Sequence, residues 1–199
     1  MPSLTFLNLD ADKKQKIIDS ATKEFELYTL KGAKVVRIIK RVNISRASFY
    51  KYFEGIEDLY FYILDKIAGK TLGILKAELV EFDGDFFKAW EALFQKYLST
   101  PKLYDSAVSR IFTIKHKESK LYARRYNENL KNRIIELCEM VDFDKLTIST
   151  PQELVDLLSI SVSIVERILS YMAIDFYDVL EAKKIFRNRM NLIRHNVVK

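Results

Sequence analysis

The sequence predicts an all-α protein, and three observations carry that reading. Only five glycines and three prolines punctuate 199 residues, which favours long helices joined by short loops. Apolar residues make up 49% of the chain and charged residues 30%, enough to bury a real core while keeping a solvated surface. The apolar residues recur every three to four positions, and polar capping residues stand before several of these runs. The chain divides into an N-terminal three-helix head, residues 1–55, and a helical body, residues 56–199.

Asp12 precedes Gln15 by three residues in a weak capping box, and Ile17, Ile18, Ala21, Phe25 and Tyr28 then follow at helical spacing. The first helix runs over roughly 13–28. Within 34–42, Val35, Ile38, Ile39 and Val42 fall at i, i+3, i+4 and i+7, with Lys34, Arg37, Lys40 and Arg41 on the other side. This is a short amphipathic helix with a cationic outer face. Asn43 and Ile44 make a tight break, since asparagine tolerates the left-handed conformation that ends helices. Ser45 then N-caps a third helix of about two turns, closed by Gly55.

That third helix reads RASFYKYF from Arg46. Phe49 and Phe53 are four apart and share one face, which packs inward. Arg46, Ala47, Tyr50 and Lys51 fall on the opposite face with Ser48 and Tyr52 at its flanks, and both tyrosines are expected to point outward among the cations. Tyr hydroxyls beside Lys and Arg donate well to phosphate oxygens, and an arginine at a helix start reaches a base edge. Between Lys31 and Phe53 there are seven Lys or Arg and no acid, so the positive field of a chain with net charge +6 is local. Each feature alone is also what a solvated helix face shows. Their coincidence in one acid-free stretch points to a polyanion, with two short helices and a tight turn forming a helix-turn-helix. The candidate DNA contacts are Lys34, Arg37 and Lys51 on phosphates, Arg46 and Tyr50 on bases or in fixing register, Ser45 or Ser48 assisting, and Ala47 and Tyr52 on the same surface.

These residues resemble the TetR family of bacterial transcriptional regulators. Ile17, Ile18, Ala21 and Phe25 are similar to its first-helix pattern, Ile38 to its second-helix core position, residues 44–53 to its turn and recognition helix, and Leu59 to the next apolar anchor. The resemblance covers roughly 13–64. Four positions depart from the family pattern: Thr29 and Asn43 replace glycines, Lys34 stands where Thr or Ser usually caps the second helix, and Ile56 replaces a lysine that commonly touches phosphate. The lysine contact is therefore not carried over.

From Glu57 onward Leu59, Tyr60, Ile63, Leu64, Ile67, Leu72, Leu75 and Leu79 keep a helical rhythm, interrupted by Gly69 and Gly73, to the Asp83-Gly84-Asp85 break. Body helices are expected near 85–99, 103–113, 117–141, 151–173 and 179–197. Thr150-Pro151-Gln152-Glu153 is a capping box with proline at the first helical position, and Asp178 to Glu181 is a second box. After Pro151 two apolar stripes appear, one through Leu154, Leu157, Leu158, Val162, Val165, Leu169 and Met172, the other through Ile160, Ile164, Ile168 and Tyr171. A helix apolar over so wide an arc buries both sides. With Phe186, Met190 and Ile193 of the last helix, the second stripe is the expected interface of a homodimer. Two-fold dimerisation is what the family resemblance implies, and it suits a palindromic double-stranded operator. Trp90, Phe94, Phe112, Tyr122 and Tyr126 make the middle of the body rich in rings, which serve as readily in a core as in a pocket. The resemblance implies that this region holds a small effector, here apolar or aromatic in kind.

Catalytic and cofactor motifs do not stand out: there is no Gly-rich phosphate loop, Cys-x-x-Cys pair or H-E-x-x-H, and His116 and His195 are far apart. No cofactor or metal is expected, and the reading is a non-enzyme. Cys138 lies in an apolar helical pattern and is expected to be an inert thiol. No secretion signal is recognised, and only nine uncharged residues run between Asp156 and Glu166, so a cytoplasmic location is expected. A helical protein-interaction module using the same head is the competing reading.

Overall fold

The computed structural model describes residues 2–28, 30–100 and 136–199, without the side chains of Ile67 and Ala68. The helix expected at 103–113, most of that at 117–141, and Phe112, Tyr122 and Tyr126 lie outside the described residues. Within them the chain forms α1 (Leu4–Leu7), α2 (Ala11–Leu27), α3 (Val35–Val42), α4 (Arg46–Tyr52), α5 (Ile56–Glu81), α6 (Phe86–Ser99), α7 (Pro151–Met172) and α8 (Val179–Val197), with a 3-10 turn at Phe143–Lys145. The fold is all-α. An antiparallel bridge, Leu146 to Val198, ties the chain end to the loop before α7.

Caps set most helix ends. Asp10, not Asp12, opens α2, its Oδ1 accepting from the Lys13 N–H at 2.8 Å, so the helix starts earlier than the Asp12 signal suggests. Asn43 adopts the left-handed conformation (φ 52°, ψ 49°) that ends α3. The two capping boxes form as read: the Glu153 N–H donates to Thr150 Oγ1 while Glu153 Oε2 accepts from the Thr150 N–H, and Asp178 and Glu181 repeat the exchange on α8. The helix expected to reach 141 ends at 138, and residues 139–140 form a turn.

Two apolar cores are strung on α5. The head core joins Phe6, Ile17, Ala21, Phe25, Ile38, Phe49 and Phe53 to Leu59, Tyr60, Ile63 and Leu64 of α5. The body core begins at Leu75 and Leu79 of the same helix and takes in α6, α7 and α8. Packing therefore changes from head to body within α5 rather than at Gly55. Gly73 does not break the helix. At its far end Gly84 turns with φ +73°, and its carbonyl accepts from the Asp142 N–H at 3.0 Å.

Three of the expected dimer residues are buried within the protomer. Ile168, Phe186 and Met190 are 0%, 4% and 5% exposed, packed inside one protomer. Phe186 stacks on Phe94, and α8 fills the space between α6 and α7. The wide apolar arc of α7 is in part covered by its own chain. Ile160, Ile164, Tyr171 and Ile193 keep some exposure, Ile160 most of all at 49%. Trp90 and Phe94 are core residues, at 1% and 0%.

Candidate nucleic-acid interface

The exposed face of the head is built by α3 and α4. Ser45 caps α4, its Oγ accepting from the Ser48 N–H at 3.0 Å and lying 2.9 Å from Ser48 Oγ. This fixes the start of the helix and with it Arg46. Phe49, fully buried, anchors the inner side in the head core. Four residues of the outer side, Arg46, Ala47, Tyr50 and Lys51, are exposed, and Tyr50 is open by 47%. The Arg46 guanidinium carbon lies 5.7 Å from the Tyr50 ring centroid, within cation–π range, and Tyr50 stands edge-on to Phe49. The result is a short helix with two cations and a phenol on one open side. Ser45 is exposed and Ser48 half-buried.

Two of the expected contact residues are placed otherwise. Tyr52 does not face outward: it is 6% exposed, 6.0 Å from the ring of Phe6. The cause is α1, a helical turn for which the sequence reading made no provision. Phe6, fully buried, sits 4.5 Å from Phe53 and 5.3 Å from Tyr62. Ser3 clamps the end of α4, its Oγ donating to the Lys51 carbonyl at 2.6 Å and its N–H to the Tyr52 carbonyl at 2.9 Å. The apolar residues Leu4, Phe6 and Leu7 just before the Asp10 cap were the available signal.

Arg37 is the second residue placed otherwise. It is turned back onto α2, where its Nε donates to Glu24 Oε1 at 2.7 Å and its Nη2 to the Gly32 carbonyl at 2.7 Å. Arg41 joins it, donating to Glu24 Oε2 at 2.9 Å and to the Ser20 carbonyl at 3.2 Å. The guanidinium of Arg37 also lies over the Tyr28 ring, 3.9 Å from its centroid. Glu24 itself is fully buried. Burial raises its pKa, but the bonds from Arg37, the Lys34 N–H and Arg41 outweigh that and hold it below the ordinary carboxylate value. Its Oε1 also accepts from the Lys34 N–H at 3.0 Å, which supplies the cap that the Lys34 side chain does not. The sequence carried a signal for this: Glu24 is seven residues after Ile17 and three after Ala21, on the buried side of α2. Lys34 and Lys40 remain exposed on α3, beside Val36, which is 55% exposed.

Comparisons with known proteins agree with this geometry. A family model described as bacterial regulatory proteins of the tetR family matches residues 17–63, and one described as the tetracyclin repressor-like C-terminal domain matches residues 85–197. No curated protein matches in sequence. Among solved structures, SmeT, the repressor of the Stenotrophomonas maltophilia multidrug efflux pump SmeDEF, is similar at 13% identity, covering 93% of this chain and 90% of its own, with a TM-score of 0.66. NalD, the secondary repressor of the MexAB-OprM multidrug efflux pump in Pseudomonas aeruginosa, is 17% identical over 94% of this chain and 98% of its own (TM-score 0.62). A TerR/AcrR-family transcriptional regulator from Aquifex aeolicus is 19% identical over 91% and 99%, with a TM-score of 0.61. At these identities the solved structures speak for the fold alone, whereas the two sequence matches between them cover the head and, beyond half the chain's length, the body. The helix-turn-helix head and the helical body thus belong to one known design, and this chain is a member of the TetR family of bacterial transcriptional regulators.

Proposed function

We propose that the protein is a repressor that binds a palindromic DNA operator as a homodimer and changes its affinity when a small apolar or aromatic effector enters the body. The observation that carries this is α4, capped by Ser45 and anchored by Phe49, with Arg46, Ala47, Tyr50 and Lys51 open to solvent. Lys34 and Lys51 bind phosphates and set the register; Arg46 and Tyr50 read base edges in the major groove; Ala47 offers a methyl contact to thymine. The repressor sense is supported by SmeT and NalD, repressors that share the fold.

The homodimer reading rests on the outward side of α7 and α8. Ile160, Ile164, Tyr171 and Ile193 retain exposed apolar surface, and an open groove of about 430 Å³ there is edged by Arg167 and Arg189. A second copy covers this surface in a two-fold bundle. The effector reading rests on Trp90. Its indole N–H is buried with no acceptor among the described residues, a costly state that an effector's acceptor relieves. Phe94 lies beside Trp90 in the core, and Phe112, Tyr122 and Tyr126 are proposed to complete the pocket. Because α5 belongs to both cores, a shift of its body end is transmitted to the head.

Selection from a random duplex library, followed by binding to the enriched sequence across a salt series, tests the reading. Enrichment of a palindrome bound by two chains is the expected result. Arg46→Ala should then cost about 1–3 kcal/mol on that sequence and much less on random duplex. Absence of any enriched sequence from a folded, dimeric protein, with and without candidate effectors, would count against it.

A further inference from the structure

We propose that Glu24 is a positioning residue for DNA binding: it holds Arg37 and Arg41 against α2, away from the DNA, and so keeps sequence-independent phosphate binding low. The inference rests on the DNA-binding reading of the head and names a residue that reading does not include.

The geometry is specific. Glu24 is fully buried at the junction of α2 and α3, and its two carboxylate oxygens are divided between the two arginines. Each guanidinium is held a second time by a backbone carbonyl, Gly32 for Arg37 and Ser20 for Arg41, and Arg37 is further seated on Tyr28. Four donors to one buried carboxylate, three of them on the two arginines, make a preorganised arrangement rather than a passing surface pair. The same carboxylate caps α3 through the Lys34 N–H, so the start of the first helix of the helix-turn-helix and the posture of its arginines are set by one group.

The consequence follows from counterion release. Each phosphate neutralised by a lysine or arginine adds about 0.9 to the salt slope of binding, so that its contribution falls about threefold between about 50 and 200 mM salt, whatever the sequence. Of the seven cations between Lys31 and Phe53, two are engaged by Glu24. Freed, they would strengthen binding to every duplex alike, operator and random sequence both, and so raise the share of protein held by non-specific DNA rather than free.

The test is Glu24→Gln in the full-length chain, against the enriched palindrome and a scrambled duplex of equal length over a salt series. The expected result is an affinity for the scrambled duplex that rises severalfold, a salt slope steeper by about one to two units per chain, and a specific-to-random ratio close to the parent's. A scrambled-duplex affinity and slope unchanged in a folded variant would overturn the proposal. Arg41→Gln leaves Glu24 paired with Arg37 and serves where Glu24→Gln does not fold. Its salt slope should equal the parent's, and a loss of about one unit would show that Arg41 already touches phosphate, which also overturns the proposal. Failure of the DNA-binding reading is seen separately, in a parent that enriches no sequence and shows no salt-dependent binding.

Discussion

Phe94 of α6 and Phe186 of α8 stack face to face, their centroids 4.1 Å apart and their planes inclined by 12°. Both are buried, and the contact joins the last helix of the chain to the aromatic helix that opens the body. Phe186→Ala should therefore cost about 3–5 kcal/mol in stability by leaving a cavity in the protomer core. Equilibrium denaturation should show that loss equally at low and high protein concentration. A loss confined to low concentration would instead place Phe186 between subunits.

Gly84 is a position where a side chain has no room. A Cβ there would lie 2.6 Å from the Asp142 nitrogen and 2.8 Å from the Met140 carbonyl oxygen, both backbone atoms, and φ is +73°. Gly84→Ala combines left-handed strain with a clash that cannot relax by a rotamer change. The expected loss is about 2 kcal/mol or more, read from the shift in denaturation midpoint.

Phe6 supports the recognition helix from outside the helix-turn-helix. Phe6→Ala should cost about 3–5 kcal/mol in the head. Because Ser3 also holds the Lys51 and Tyr52 carbonyls, amide exchange in α4 should quicken more than in α6. Equal acceleration in both helices would show that α1 stabilises the chain as a whole.

Glu24 makes the head sensitive to acid. Its folded-state pKa is lowered from the ordinary 4.5. The stability it contributes is thus fully present above that value and is lost as pH falls through the folded pKa. Denaturation midpoints measured at a series of pH values should fall more steeply below pH 4.5 in the parent than in Glu24→Gln. Parallel curves would remove Glu24 from the acid response. Above that range, Glu24→Ala should cost about 3 kcal/mol, at the lower end for a broken buried ion pair because both arginines can turn into water.

Much of the fold was legible because its signals are local. Helical periodicity placed α3, α5 and α6 within a residue or two, and Ser45, Thr150 and Asp178 announced their helices as caps that reach only three residues ahead. Asn43 likewise marked the turn between α3 and α4 from its own backbone preference. The exposed set Arg46, Ala47, Tyr50 and Lys51 followed from the period of one helix with Phe49 fixed inward. Glu24 and α1 were readable in principle, the first as an acid on an apolar face and the second as an apolar run before a cap.

By itself, then, the sequence determined most of the described helices, where most begin and end, and which sides of them avoid water. Tertiary structure decided what each side meets. Periodicity says that Ile168, Phe186 and Met190 are buried, but only the arrangement of α6, α7 and α8 makes the same chain, and not a second one, bury them. In the same way Tyr52 was turned inward by a helix more than 40 residues away in sequence, and Arg37 and Arg41 were drawn from the outer face by a carboxylate 13 and 17 residues earlier. Local preference is set by neighbours along the chain, whereas burial and ion pairing are set by neighbours in space.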